Sequence, residues 1–248
     1  MLRSVVYFFS TLLLVTAGVV HAADPIDIKI TEALPYLDVQ YEGKTVRIQR
    51  VQNEENVITG GFAKTSRKCP PFCVHSMQVA PGVTTVGELE LLDFIKQRVA
   101  MGTGLLIDAR TPEWYTKGTI PGSVNIPFNV FQKDGNDPEM KAALEKIGIK
   151  ARSPGTIERL WVAIKRLLGM PVNENALNWD FTKAKHLLLW CNGPWCDQSP
   201  RAIRSLLVLG YPENKLSYYR GGMQDWLVLG LTVVVPDSEP PVAIPAAK

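Results

Sequence analysis

Several features that would mark a special class of protein are scarce in this sequence. The 248 residues include four cysteines and three histidines, and 27 basic residues almost balance 24 acidic ones. Four cysteines are too few for a small disulfide-stapled domain. A net charge of +3 is too small and dispersed to indicate a protein that binds nucleic acid or an anionic membrane by charge alone. The composition therefore predicts an ordinary globular protein with its own hydrophobic core.

The first 22 residues have the pattern of a secretory signal. Arg3 precedes an apolar run over residues 5–20, and residues 20–22 (VHA) offer small side chains for cleavage after Ala22. An uncleaved membrane anchor is the alternative, because the run approaches the length that spans a bilayer. No later run has that length. Cleavage therefore predicts a periplasmic or secreted protein without stable membrane insertion, whose cysteines meet an oxidising environment.

Composition divides the rest of the chain into three parts. Residues 23–83 predict a β-rich N-terminal extension with a hairpin around residues 42–44. Residues 84–236 alternate between helix and strand, which is typical of an α/β domain with a parallel sheet covered by helices. Residues 130–175 predict a helical insertion in this domain, and residues 237–248 predict a flexible tail.

Two local patterns predict helices in this α/β domain. Thr85 and Glu88 have the spacing of a capping box, which predicts a helix that begins after Thr85. Residues 157–168 repeat apolar side chains at helical spacing and carry basic residues on the other face. We expect this helix to pack its apolar face on the domain and leave its charges in solvent. Contact of the helix with a membrane surface is the alternative.

The most informative stretch is residues 190–200 (WCNGPWCDQSP). A buried type of strand leads into Cys191, and Ser199 followed by Pro200 predicts a new helix with Ser199 as its N-cap. The loop amides and the positive end of the helix dipole then face the Cys191 sulfur, which favours the thiolate and the binding of an anion. Cys191 is therefore a candidate nucleophile. The candidate substrate-binding loop comprises Asn192, Gly193, Pro194, Trp195, Cys196, Asp197, Gln198 and Ser199.

Three stretches resemble the rhodanese-like sulfurtransferase family. Residues 106–127 (from LIDARTPEW to GTIPGSVNIP) resemble its first signature, residues 187–191 (LLLWC) its active-site strand and nucleophile, and residues 219–226 (YRGGMQDW) its terminal signature. The resemblance covers residues 84–236 and implies the family's fold. It also implies transfer of a sulfane sulfur from a donor such as thiosulfate to a thiol or protein acceptor, through a persulfide on Cys191. It implies no cofactor.

Two features of the loop depart from the family pattern. The loop between Cys191 and Ser199 is longer than usual, which reshapes the pocket and affects the choice of substrate. It also has no Arg or Lys, and the Asp197 carboxylate would disfavour a dianionic donor unless it points away. Phosphatases of this fold need an arginine six residues after the cysteine, where this chain has Asp197. We therefore do not expect phosphatase activity.

The remaining cysteines leave alternatives open. Cys196 either resolves a persulfide or forms a redox disulfide with Cys191, which would make a thiol–disulfide or persulfide-relay protein, or it packs beneath the loop. Cys69 and Cys73 form a local disulfide or dithiol pair, or stay as packed thiols. Zinc bound by all four cysteines is a third interpretation, which their spacing does not favour, and we expect no metal site. A non-catalytic module that binds a peptide or anion is a further alternative.

We expect structural roles for several residues in or near these motifs. Asp108 follows a strand and is expected to accept loop N–H groups or to pair with Arg110. Gly221 and Gly222 permit a tight turn. His75 has no partner at a spacing typical of a catalytic or metal site, so a structural or surface role is expected.

Overall fold

The structure is a computed structural model that describes residues 27–236. The predicted signal at residues 1–22 and the predicted tail at residues 237–248 lie outside the described residues. Within the described range, no helix is long and apolar enough to cross a membrane.

The strands are β1 (Leu37–Tyr41), β2 (Lys44–Ile48), β3 (Thr84–Val86), β4 (Gly104–Asp108), β5 (Ser123–Asn125), β6 (Lys150–Ala151), β7 (Trp179–Asp180), β8 (His186–Trp190) and β9 (Leu216–Tyr219). The α-helices are α1 (Glu88–Phe94), α2 (Pro112–Tyr115), α3 (Pro138–Lys146), α4 (Thr156–Leu167), α5 (Gln198–Leu209) and α6 (Gly222–Val228).

Five strands form a parallel sheet in the order β3-β9-β8-β4-β5. The central strand β8 is apolar along most of its length, because helices cover both faces of the sheet. Leu187 and Leu189 point into one hydrophobic core, and Leu188 and Trp190 point into a second core on the other face. The expected parallel sheet covered by helices is confirmed.

The carboxyl edge of the sheet brings the three signature stretches together. Trp190, the last residue of β8, pairs with Asp108 of β4 on one side and with Tyr219 of β9 on the other. Because parallel strands end at the same edge, the segments that follow these three residues form one cluster. The residue that follows Trp190 is Cys191, so the candidate nucleophile lies at the centre of this edge.

The N-terminal extension shares a core with the α/β domain. Strands β1 and β2 form an antiparallel hairpin around Glu42 and Gly43, as the sequence predicts. Ile48 of this hairpin is fully buried and belongs to the same core as Leu91 of α1 and Trp226 of α6. The hairpin therefore stabilises the face of the sheet that carries α1 and α6.

The start of α1 differs from the capping box predicted at Thr85 and Glu88. Thr85 belongs to β3 and pairs with β9, which holds it in an extended conformation. The helix begins after Gly87, whose N–H donates to the Glu90 carboxylate at 3.0 Å. The predicted capping residues were therefore wrong, because the pairing of β3 with β9 holds Thr85 in a strand.

Residues 130–175 contain α3, β6 and α4, and β6 pairs antiparallel with β7, which follows them. The Asp137 carboxylate caps α3 by accepting hydrogen bonds from the Glu139 and Met140 amides, at 2.8 and 3.3 Å. Helix α4 forms where the sequence predicts it, but none of its residues is buried. The expectation that its apolar face packs on the domain was therefore wrong.

A buried ion pair follows β4. Arg110 donates to both carboxylate oxygens of Asp108, from Nε at 2.8 Å and from Nη2 at 2.6 Å. Its Nη2 also donates to the Gly118 carbonyl at 2.6 Å, and the Thr119 hydroxyl donates to Asp108 at 2.9 Å. Both charged side chains are almost completely buried. The predicted pairing of Asp108 with Arg110 is confirmed, and it fixes the chain that leaves β4.

Candidate active site

Cys191 is the first residue after β8, and it is only 1% exposed. Its thiol donates to the Cys196 carbonyl at 3.3 Å, and its sulfur accepts a hydrogen bond from the Ser199 hydroxyl at 3.0 Å. The Cys196 amide donates to the Gly193 carbonyl at 2.9 Å, which closes the loop into a tight turn. The residues after Cys191 therefore surround its sulfur.

Helix α5 begins at Gln198, with Asp197 at the N-cap position. The prediction that Ser199 is the N-cap was wrong, because Ser199 lies in the first turn and its buried hydroxyl faces the Cys191 sulfur. The Asp197 side chain makes no capping hydrogen bond and lies 3.8 Å from the Arg201 guanidinium. The positive end of the α5 dipole is therefore left to act on the sulfur.

The hydrogen bonds of the loop make Cys191 the more acidic of the two thiols. Burial by itself opposes ionisation of Cys191, but donors from the Cys196 thiol, the Ser199 hydroxyl and amide, and the Gly193 amide lower its pKa below the usual cysteine value. Burial raises the pKa of Cys196, and the neighbouring Cys191 raises it further. Cys191 is therefore expected to ionise before Cys196.

Gly222, at the start of α6, fixes the backbone of the loop. Its φ is +56°, in the left-handed region, and a Cβ atom there would overlap the carbonyl oxygen of Cys191 and lie 2.7 Å from the Gly193 nitrogen. The Met223 amide donates to the Cys191 carbonyl at 2.9 Å. Only glycine fits this close approach. The turn predicted at this position thus holds the chain around Cys191.

Asn192 connects the loop to the buried ion pair. Its side-chain oxygen accepts a hydrogen bond from Arg110 Nη1 at 3.4 Å, and its carbonyl accepts one from the Gln224 amide at 3.0 Å. Asn192 is only 3% exposed. The loop is therefore held from one side by the end of β4 and from the other by α6.

A segment of the N-terminal extension, residues 60–78, lies against the loop, and we call it the strap. Phe72 of the strap packs edge-on against Trp195, with ring centroids 5.6 Å apart. The guanidinium carbon of Arg67 lies 3.6 Å from the Trp195 ring centroid. The His75 amide donates to the Pro194 carbonyl at 2.9 Å. The strap therefore covers the loop on the side of Trp195.

A disulfide between Cys69 and Cys73 closes the turn of the strap that carries Phe72. These two sulfurs are bonded to each other and are not arranged with the loop cysteines as a group of four. Cys191 and Cys196 are free thiols. The strap disulfide and the loop thiols are thus two separate pairs in the structure, joined through the contact of Phe72 with Trp195.

The other predicted loop residues have unequal roles. Cys196 is buried and donates to the Gln198 side chain at 3.7 Å, so Gln198 holds the second thiol. Trp195 donates from its indole to the Gln224 side chain and is half-buried. Asp197 is partly exposed at the rim beside Arg201. The sulfur of Cys191 therefore faces Cys196 and Ser199, while Trp195 faces the strap.

Sequence reasoning missed the strap residues Arg67 and Phe72. They lie outside the three signature stretches, and the only local signal is the density of cysteine and proline over residues 69–73. The side chain of His75 is buried at Nε2 without a hydrogen-bond partner among the described residues. Burial is the largest cause that lowers the pKa of His75. Its expected structural role agrees with the backbone contact to Pro194.

Replacing Ser199 with alanine should raise the pKa of Cys191, because the thiolate loses a hydroxyl donor. A hydrogen bond to a charged group is worth about 1.5–3 kcal/mol, which corresponds to a shift of about one to two pH units. The measurement is the pH dependence of Cys191 alkylation by iodoacetamide, followed by peptide mass. The matched control is Ser205→Ala, which makes the same change farther along α5. Identical pH profiles for all three proteins would contradict this account of the thiolate.

Several solved structures are similar to part of this chain. The human single-domain sulfurtransferase TSTD1 is 24% identical, and the match covers 58% of this chain and 96% of that chain, with a TM-score of 0.33. The Saccharomyces cerevisiae single-domain sulfurtransferase RDL2 is 13% identical over 58% of this chain and 89% of its own, with a TM-score of 0.31. The thiosulfate sulfurtransferase of Pseudomonas aeruginosa is 13% identical, and the match covers 64% of this chain and 21% of that chain, with a TM-score of 0.33.

The sequence was also compared with proteins of curated function and with models of protein families. No protein of curated function matches this sequence significantly. The sequence model of the rhodanese-like domain matches residues 91–228, which is more than half of the chain. The matched range contains β4, β8, the Cys191 loop and the Gly222 turn. This chain therefore belongs to the rhodanese-like domain family.

Proposed function

We propose that this protein is a sulfurtransferase that carries a sulfane sulfur as a persulfide on Cys191. One observation carries the proposal: the buried Cys191 sulfur faces the Ser199 hydroxyl and the loop amides, which lower its pKa. A thiolate of this kind is an active nucleophile. The same donors are placed to stabilise the negative charge of a terminal persulfide sulfur.

The reaction with thiosulfate has two steps. The Cys191 thiolate attacks the outer sulfur of thiosulfate, the sulfur–sulfur bond of the donor breaks, and sulfite leaves with the electron pair. An acceptor thiolate then attacks the outer sulfur of the Cys191 persulfide, and Cys191 leaves as the thiolate. The acceptor becomes a persulfide and the protein returns to its starting state. Covalent catalysis thus divides one transfer into two displacements at sulfur.

An anionic donor fits the charges that the strap adds to the loop. The loop itself has no basic residue, but Arg67 of the strap lies on Trp195. The Arg67 guanidinium donates from Nη2 to the Gly61 carbonyl at 2.6 Å, and its buried Nε has no hydrogen-bond partner among the described residues. The Asp197 carboxylate lies close to Arg201, which offsets its charge. Thiosulfate is therefore our proposed donor class, with Arg67 as the residue that attracts it.

Persulfide resolution by Cys196 is the second candidate function. The Cys196 thiol is close enough to Cys191 to lower its pKa, and this proximity favours a reaction between the two residues. The Cys196 thiolate would attack the inner sulfur of the Cys191 persulfide, releasing hydrosulfide and forming a Cys191–Cys196 disulfide. A dithiol reductant would then restore both thiols. The raised pKa of Cys196 slows this attack, so we place transfer to an external thiol first.

We also propose that the protein works outside the cytoplasm. Residues 1–22 have the pattern of a cleaved signal, although they lie outside the described residues. The Cys69–Cys73 disulfide supports this compartment, because such bonds persist mainly where the environment is oxidising. The thiols at Cys191 and Cys196 would then need a reducing partner or a persulfide to keep them from pairing.

Treatment with thiosulfate should add one sulfur to Cys191, seen as a gain of about 32 Da in intact mass that a reducing thiol removes. Cys191→Ser should show no gain. Cys196→Ser should keep the gain and hold it longer if Cys196 resolves the persulfide. The matched control Cys196→Ala separates the loss of the thiol from the new hydroxyl.

Two results would contradict sulfur transfer through Cys191. One is a gain of sulfur that survives in Cys191→Ser. The other is the absence of any gain, together with a loss of about 2 Da on oxidation that requires both loop cysteines, which would favour a simple dithiol oxidoreductase.

Replacing Arg67 with methionine should lower kcat/KM for thiosulfate by about tenfold or more, because the anion loses a charge-assisted donor. The matched control is an uncharged donor, an organic trisulfide, for which the same variant should keep its kcat/KM. An equal loss with both donors would mean that Arg67 only holds the strap in place. No loss with either would exclude Arg67 from donor binding.

A further inference from the structure

Helix α4 presents an apolar face that no described residue covers. Its side chains are highly exposed, with 59% for Trp161, 72% for Ile157 and 86% for Leu167. At 3.6 residues per turn, six apolar residues share one side of the helix. This surface, the α4 face, comprises Ile157, Leu160, Trp161, Ile164, Leu167 and Leu168. Single exposed apolar residues are ordinary, but a continuous apolar face indicates an interaction surface.

The helix is attached to the domain by its other side. Glu158 and Val162, one turn apart, are its half-buried residues. The Glu158 carboxylate accepts a hydrogen bond from Arg152 at 2.8 Å, and Arg152 also donates to the Trp179 carbonyl at 3.1 Å. Near the other end of the helix, Arg166 pairs with Glu174. These polar contacts hold α4 with its apolar face directed away from the protein.

Positive charge is concentrated around this face. Residues 150–166 contain five basic residues and one acidic residue, whereas the whole chain has a net charge of only +3. Lys165 borders the face beside Trp161, and Arg159 lies on the opposite, polar side of the helix. Neither has an ion-pair partner among the described residues. The small net charge of the whole chain therefore does not show that residues 150–166, which include α4, are locally basic.

We propose that the α4 face binds an anionic lipid surface. An apolar face with aliphatic residues and a tryptophan, with lysine at its border and arginine on the polar side of the helix, is the pattern of helices that lie in the membrane interface. The indole of Trp161 suits the boundary between acyl chains and headgroups. Lys165 extends toward anionic headgroups while its stem stays with the apolar side chains.

Charge makes a second copy of this chain a poorer occupant. Two α4 faces packed together would bring the Lys165 side chains of both copies into one interface. The single acidic residue of the helix, Glu158, is already paired with Arg152. Like charges in a shared interface are unfavourable, whereas an anionic bilayer supplies the opposite charge. The lipid surface therefore satisfies both the apolar and the basic parts of the face.

The contact would be peripheral, since α4 has 12 residues and lies on the surface of the domain. It is independent of the chemistry at Cys191, because no α4 residue takes part in the Cys191 loop. The Cys191 site would then operate close to a membrane surface.

Vesicle binding tests the proposal with the full chain as purified after export. Vesicles of equal parts phosphatidylglycerol and phosphatidylcholine are compared with phosphatidylcholine alone, by co-sedimentation at low and high salt. The face variant is Leu160→Gln, Trp161→Gln and Leu167→Gln. The matched control is Met101→Gln, Val208→Gln and Val228→Gln, which makes the same kind of change at similarly exposed sites elsewhere. All chains share one N-terminus, so differences between them report on α4.

The expected result is binding to the anionic vesicles that weakens with salt and falls by about tenfold or more in the face variant. The control variant should bind as the original chain does. Hydrogen exchange should show vesicle-dependent protection of residues 156–168. The mass gain with thiosulfate should be unchanged in both variants, which shows that the fold and the Cys191 site are intact.

Three outcomes would overturn the proposal. One is equal vesicle binding by the face variant and its control, without protection of residues 156–168. The second is absence of binding to anionic vesicles by the original chain. The third is a dimer in sedimentation that the face variant disrupts while vesicle binding is unaffected, which would assign the face to a second copy.

Discussion

The close approach of Gly222 to the backbone of residues 191–193 is the constraint on which the site depends. The chain leaves the sheet after Trp190 and must turn at once so that α5 begins beside the Cys191 sulfur. Gly222 permits this turn because it has no Cβ to overlap the Cys191 carbonyl, and Met223 donates to the same carbonyl. The sheet order makes the contact available, since β9 lies next to β8 and α6 follows β9. A larger residue at this position would displace the loop and its amides together.

Fixed donors are needed because burial works against the thiolate. Cys191 is almost inaccessible to water, so its charge must be stabilised by the Ser199 hydroxyl and by loop amides that are already in place. The loop is rigid because Asn192 joins it to Arg110, which is itself paired with Asp108 in the interior. Donors that are oriented before the reaction stabilise developing charge without reorganising. In the proposed reaction, the persulfide would use the same donors as the thiolate.

The sequence predicts much of this site, but not all of it. Strand β8, Cys191 and helix α5 are signalled by local patterns, and the paired strands follow from the alternation of helix and strand. The role of Ser199 was misjudged, because a serine before proline also has the pattern of an N-cap. Phe72 and Trp195 are far apart in the chain, so no local pattern shows their contact. The periodicity of α4 shows that an apolar face exists, but it does not show whether that face is buried.

The most direct test of the central claim is a titration of the two loop thiols by thiolate absorbance in the ultraviolet. The account predicts a step below the usual cysteine range that disappears in Cys191→Ser and remains in Cys196→Ser, because hydrogen bonds lower the pKa of Cys191. The thiol of Cys196 should titrate well above that range. A Cys191 that ionises together with Cys196, or above the usual range, would contradict the account.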